Sequence, residues 1–203
     1  PRAMRAGAVT EPIDTMSDTL RGQFLIASQR LRDPNFFRTV VLMLEHNDQG
    51  AMGLVINRPT QVTVAKALEQ HFPLPDCDAK VFQGGPVEPS ALFIVNNDRL
   101  LDPEARLVVP NVYVGSSADA FQKVVDAAAS DGSSTRFRIC CGCAGWGPGQ
   151  LEGELSRNDW LLVPATEATV FSEDPHALWE ELLKAALAAH RLLPEVEGNP
   201  EMN

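Results

Sequence analysis

"RTVVLMLEHNDQGAMGLVIN", residues 38–57, decides how this chain folds. "RTVVLMLE" (38–45) is an almost continuous apolar run of the kind found in strands covered on both faces. "HNDQG" (46–50) is turn chemistry, and "AMGLVIN" (51–57) is a second apolar run. Two such runs around a short polar loop predict a β-hairpin. Working outward, "GQFLIAS" (22–28) reads as a strand before it, with "RDPNFF" (32–37) as the intervening turn. After it, "AKVFQGG" (79–85), "SALFIVNN" (90–97) and "LVVPNVYVG" (107–115) read as strands. Pro110 interrupts the last of these, which favours an edge or a bend.

Helical signals are interleaved with the strands. Thr63 is placed to cap "TVAKALEQHF" (63–72). Ser117 precedes "ADAFQKVVDAAAS" (118–130), where Phe121, Val124, Val125 and Ala128 share one face and Gly132 marks the end. "TRFRICC" (135–141) alternates as a strand. That alternation groups Cys141 with Phe137 and Ile139, making it the small core residue, and turns Cys140 the other way with Arg136 and Arg138. "PGQLEGELS" (148–156) reads as a short helix and "DWLLVPA" (159–165) as a strand. The strongest helix is "PHALWEELLKAALAAH" (175–190), with Asp174 as cap and Pro175 as first residue. Its expected apolar stripe is Leu178, Leu182, Ala185 and Ala189, widened by Trp179, Leu183 and Leu187. The whole reads as a single domain over residues 21–192, between a flexible polar arm (1–20) and a polar tail (193–203).

Composition narrows the function. The 203 residues are 44% hydrophobic and 22% charged, with a net charge of −10. From Gly145 onward there are 11 acidic and 3 basic residues, so the charge is uneven and a local basic patch can form only in residues 1–144. An acidic surface argues against direct nucleic-acid binding. No apolar run reaches the roughly 20 residues of a membrane helix. The start shows no apolar signal region, so a cytoplasmic protein with free thiols is expected.

The densest candidate chemistry is "CCGCAGWGPGQLEGEL" (140–155). Cys140, Cys141 and Cys143 form one cluster, and only Cys77 lies elsewhere; with His71 it matches no zinc spacing, so no metal is expected. Cys143 precedes the 148–156 helix, whose dipole would favour a thiolate if near. The glycines fit neither the Walker pattern nor the dinucleotide fingerprint, so no cofactor is expected either. What remains is a glycine loop able to present N–H groups to an anion, with Trp146 as its plug. "EHN" (45–47) sets Glu45 and His46 at a strand end, "NRP" (57–59) and "QGGP" (83–86) are turns, and Arg58 is the one cation among these loops. The ligand-contacting set expected from them is His46, Asn57, Arg58, Gly84, Gly85, Trp146, Gly147 and Gln150.

Together, "GQFLIASQRLRDPNFFRTVVLMLEHNDQGAMGLVINRPT", "FQGGPVEPSALFIV" and "GCAGWGPGQLEGELSRNDWLLVPA" resemble the successive signatures of the YqgE/AlgH family, with Phe171 and Trp179 fitting its closing segment. The resemblance implies an α+β fold: a mixed, bifurcated β-sheet curled into a pseudo-barrel, with helices packed outside. The family pattern usually has Met-Pro where this chain has Ser28-Gln29, and Tyr where it has Cys143. Family members carry no agreed biochemical activity, and some bear the label of transcriptional regulator. Three readings stay open. One is a non-enzymatic protein whose four loops converge on a site for a small molecule or protein partner. Another is an enzyme using His46 or Cys143 on an anionic substrate. The third is a transcriptional regulator acting directly or through a partner, although the sequence shows no helix-turn-helix pattern and no basic helix.

Overall fold

A computed structural model describes residues 20–70, 78–130 and 132–192. The expected arm up to residue 19, the tail from 193, His71 and Cys77 lie outside the described residues. The chain forms β1 (Gln23–Ala27), β2 (Val40–Asn47), β3 (Gly50–Val55), β4 (Pro59–Thr63), α1 (Val64–Leu68) and β5 (Lys80–Gln83). There follow β6 (Val87–Asn96), β7 (Arg106–Val109), β8 (Val112–Gly115), α2 (Ala118–Ala129) and β9 (Phe137–Trp146). The last elements are α3 (Gln150–Ser156), β10 (Trp160–Pro164), α4 (Glu167–Val170) and α5 (Leu178–Leu192).

The 38–57 stretch is the expected hairpin, with the β2–β3 turn shortened to Asp48-Gln49 and a bulge between Met43 and Glu45. The strands run in the order β10-β1-β2-β3-β9-β6-β8-β7. Their one parallel pair is β5 on β9. β9 is where the sheet forks. Along one edge it pairs with β6. Along the other it pairs first with β5, through Ile139–Cys141, and then with β3, through Ala144–Trp146. The sheet is thus mixed and bifurcated. Its curl stops short of a closed barrel, since β10 and β7 remain the two ends of the path.

The fork requires backbone to touch backbone. The Gly84 N–H donates to Cys141 O at 2.7 Å, and Gly84 O accepts from Val55 N–H at 2.8 Å. A Cβ on Gly85, which sits at φ 154, would lie 2.2 Å from the carbonyl carbon and oxygen of Cys143. The glycines of "CCGCAGW" are therefore strand residues, not a loop: the loop expected after Cys141 is replaced by a strand running on to Trp146.

Two apolar cores follow from the alternation of β9. Phe137, Ile139 and Cys141 face α1 and α2. Cys140 faces the larger core of β1, β2, β3 and α5. The facial grouping read from the sequence is right and Cys141 packs against the smaller core, but it is only partly buried while Cys140 is fully buried, because a central strand is covered on both sides. On α5 the buried stripe is Leu178, Trp179, Leu182, Leu183 and Ala186; Ala185 and Ala189 face outward, contrary to expectation. The Trp179 indole N–H fixes this rotation by donating to Ala27 O at 2.8 Å. Burying each large side chain there contributes about 1.5–3 kcal/mol. The expected 107–115 strand is a hairpin of β7 and β8, with Pro110 and Asn111 in its turn and Asn111 at φ 60.

Gly85→Ala is expected to lower the unfolding free energy by more than about 4 kcal/mol or to prevent folding. Gly132 also has positive φ, but nothing lies within 4 Å of an added Cβ. Gly132→Ala should cost only about 1–2 kcal/mol. Urea denaturation of both variants separates steric contact from backbone conformation, and equal losses would refute the close-approach account.

Candidate functional site

Register brings part of the expected site together. His46 pairs with Ala51, and Ala51 pairs with Trp146, so all three side chains share one face of β2, β3 and β9. Helix α3 lies over that face. His46 Nε2 is 2.9 Å from Glu152 Oε1. The Trp146 indole N–H donates to Glu154 Oε2 at 2.9 Å, and the Trp160 indole N–H donates to the same oxygen at 2.8 Å. Gln150 Nε2 donates to Glu154 Oε1 at 3.0 Å, while its own Oε1 accepts from Gly147 N–H at 3.1 Å. Phe36 closes the cluster, stacked 5.9 Å from Trp146 and edge-on to Trp160 at 5.5 Å. His46, Trp146, Gly147 and Gln150 therefore meet, and both oxygens of Glu154 are occupied.

Asn57, Arg58, Gly84 and Gly85 lie elsewhere. Asn57, at the far end of β3, accepts from Val40 N–H at 2.9 Å and donates to Arg38 O at 3.0 Å. The Arg58 guanidinium donates to Asn35 O at 2.7 Å and Phe37 O at 2.8 Å. Burial lowers its pKa, opposed by the charge of Asp33. Its donors thus hold the 33–37 loop that carries Phe36, instead of standing free for an anion. Gly84 and Gly85 are the fork contacts described above.

The thiols are poor nucleophiles here. Burial pushes Cys140 up to about 12, against the opposing pull of the Arg138 guanidinium. Burial also raises Cys141, and burial together with the Glu88 charge raises Cys143. The lowering expected for Cys143 from the 148–156 helix is reversed, because the residue sits inside β9 and not at the helix entry. Among the described residues no group of three or more His, Cys, Asp or Glu side chains is arranged to hold a metal, and no helix is long and apolar enough to cross a membrane.

The curl of the sheet also holds a cavity that no local sequence pattern announces. It encloses about 300 Å³ between β2, β3, β6 and the β7–β8 hairpin. Met52, Phe93, Val108 and Val114 form an apolar floor, and Arg21, Glu45, Glu104 and Arg106 ring it with charge. Arg106 is ion-paired with Glu45, and the Arg21 guanidinium donates to Leu107 O. Asp102 belongs to its wall and is 2% exposed. Asp102 Oδ1 accepts from Glu104 N–H at 3.3 Å, while Oδ2 has no partner among the described residues. A Cβ at 115 would stand 2.1 Å from that oxygen, so any larger residue there has to displace the Asp102 carboxylate. The signal was hidden by reading 107–115 as one strand, which removes the turn that builds the wall.

An open, forked ten-stranded sheet with helices outside and a small cavity in its curl defines an α+β domain of a recognisable kind. The chain belongs to the AlgH-like family, whose sequence profile matches residues 24–189. It is 40% identical over 174 residues to UPF0301 protein AlgH of Pseudomonas aeruginosa PAO1, covering 83% of this chain and 87% of that one. To a UPF0301 protein of Myxococcus xanthus it is 37% identical over 163 residues, covering 79% and 87%. The solution structure of Pseudomonas aeruginosa AlgH superposes with a TM-score of 0.66 at 36% identity, over 92% of this chain and all of that one. A Corynebacterium diphtheriae crystal structure, at 20% identity and a TM-score of 0.65, over 83% and 88% of the two chains, shares the fold.

Glu154→Ala strands two indole N–H groups and should cost about 3 kcal/mol, with Glu154→Gln costing roughly half as much. Urea unfolding followed by tryptophan fluorescence measures both, and a wild-type midpoint for Glu154→Ala would refute the interlock. Cys140 supplies a pH test. Its folded pKa lies above the ordinary 9.0, so its contribution is complete below that value and lost as pH rises toward about 12. The stability gap between wild type and Cys140→Ala should narrow above about pH 9 by up to about 1.4 kcal/mol per pH unit, a slope set by one proton. A gap independent of pH would show that the thiol ionises equally in both states.

Proposed function

We propose that this protein binds a small molecule without transforming it, and that the ligand occupies the cavity in the curl of the sheet. One observation carries the reading: a cavity of about 300 Å³ with an apolar floor and a rim of charged side chains. That volume is at the small end of ligand sites. The lining suits a compact apolar body bearing a hydrogen-bond donor toward the Glu104 carboxylate of the rim.

The family-like motifs support this reading from behind. Glu45 pairs with Met52, and Met52 with Gly145, on the strands whose next residues are His46, Ala51 and Trp146. The α3 cluster thus braces the reverse of the strands that form the floor. Catalysis by His46 or Cys143 has less support, since His46 is engaged with Glu152 and burial keeps the Cys143 thiol protonated.

The test is a metabolite screen by thermal shift on wild type and on Met52→Trp, which fills the floor. A ligand at a hundredfold excess over its Kd adds about 2.7 kcal/mol, or roughly 5 °C or more in a domain of this size. Hits are expected to raise the wild-type Tm and leave Met52→Trp unchanged. A screen in which no compound separates the two proteins rules the cavity out as the site.

A further inference from the structure

Two neighbouring strands carry cations on one face. Lys80 and Phe82 alternate with Val81 on β5, and Arg136 and Arg138 alternate with Phe137 and Ile139 along β9. The parallel register sets Val81 beside Ile139 and Phe82 beside Cys140. Val81 and Ile139 enter the core under α1 and α2, so Lys80, Arg136 and Arg138 share the opposite face. Like charges on adjacent strands repel. Here they border a groove of about 580 Å³ whose other wall includes Phe171 and His176.

Arg138 is the centre of this groove. It is 5% exposed, the one buried cation among the described residues. It donates to Ile56 O and Ser172 O, each at 2.7 Å, and lies flat over Phe82 at 4.5 Å. Among the described residues no carboxylate lies within ion-pair distance of it. Burial lowers its pKa to about 10, which leaves it charged at neutral pH. A charge taken out of water without a counterion is costly, and two carbonyls offset only part of that cost. Arg136 lies over Phe171 at 5.6 Å and pairs with Glu167. Lys80 has no carboxylate within ion-pair distance among the described residues. Glu173 is the one acid lining the groove. The groove is therefore cationic within a chain of net charge −10. Such a surface repels long polyanions while attracting a small anion at short range.

We propose that this groove is a binding site for a small organic oxyanion, a carboxylate or phosphate monoester on a planar body. The oxyanion sits against Lys80 and Arg138, and the planar body against the Arg136–Phe171 stack. The site is separate from the curl cavity, and neither reading depends on the other.

The experiment is calorimetric titration and thermal unfolding at fixed ionic strength, with inorganic phosphate, benzoate and AMP as probes and adenosine as the uncharged control. Saturable binding of at least one anion, with adenosine at least tenfold weaker than AMP wherever AMP binds, is expected. Stronger binding of AMP or phosphate marks a phosphate ligand, and stronger binding of benzoate a carboxylate; either supports the site. Lys80→Glu should weaken binding at least tenfold with unfolding still cooperative, and Arg138→Met should abolish it. If Arg138→Met fails to fold, Lys80→Glu decides alone. No saturable response to any anion, adenosine binding as well as AMP, or Lys80→Glu within twofold of wild type overturns the proposal.

Discussion

Strand β9 has three partners, and it has them because Gly84 and Gly85 let β5 leave its edge where β3 arrives. Gly84 ties the branches at that point, its N–H donating to Cys141 O and its O accepting from Val55 N–H. Everything of functional interest hangs from this junction. The β3 branch carries Met52 of the cavity floor and the His46–Trp146 face, and β6, on the other edge of β9, carries Phe93 of the same floor. The β5 branch carries the cationic groove. A side chain at the junction would force the branches apart, and with them both surfaces.

Helix α3 has only seven residues and would not be stable alone. Its stability comes from side chains. Glu154 gathers two indoles and an amide, Glu152 meets His46, and Leu151 is buried beneath. This corner is therefore largely satisfied, with His46 Nδ1 its one buried side-chain polar atom without a partner among the described residues. The curl cavity and the groove differ in kind: each has a buried acidic or basic side chain, Asp102 or Arg138, with no ion-pair partner among the described residues.

Much of the architecture was legible because local rules and packing agree. The 38–57 hairpin, the Thr63 cap and helix α2 follow from turn chemistry, capping and periodicity, and Thr63 makes the expected cap bond; Asp174 accepts from His176 and Ala177 N–H in a turn, while α5 itself begins only at Leu178 instead of Pro175. The failures have one physical origin. A glycine read locally is a turn residue, whereas Gly142 is a strand residue against which the backbone of Gly85 passes too closely for a Cβ. Arg58 looked like a free cation because its partners, Asn35 and Phe37, are about twenty positions away in sequence. The cavity and the groove are products of register between distant strands, and no local pattern encodes them.

The order of strand pairing also constrains how the chain becomes a protein. The partners of β9 are all made before it, at residues 51–53, 81–83 and 87–96, and wait with open edges until residue 146 has been synthesised. β1 waits longer still for one of its neighbours, β10 at 160–164. Pairings this remote in sequence are slow to close, and unpaired edges are where chains associate wrongly. β2 is covered early by its sequence neighbours β1 and β3, so the apolar edge of β1 that waits for β10 is the one most in need of protection on the ribosome.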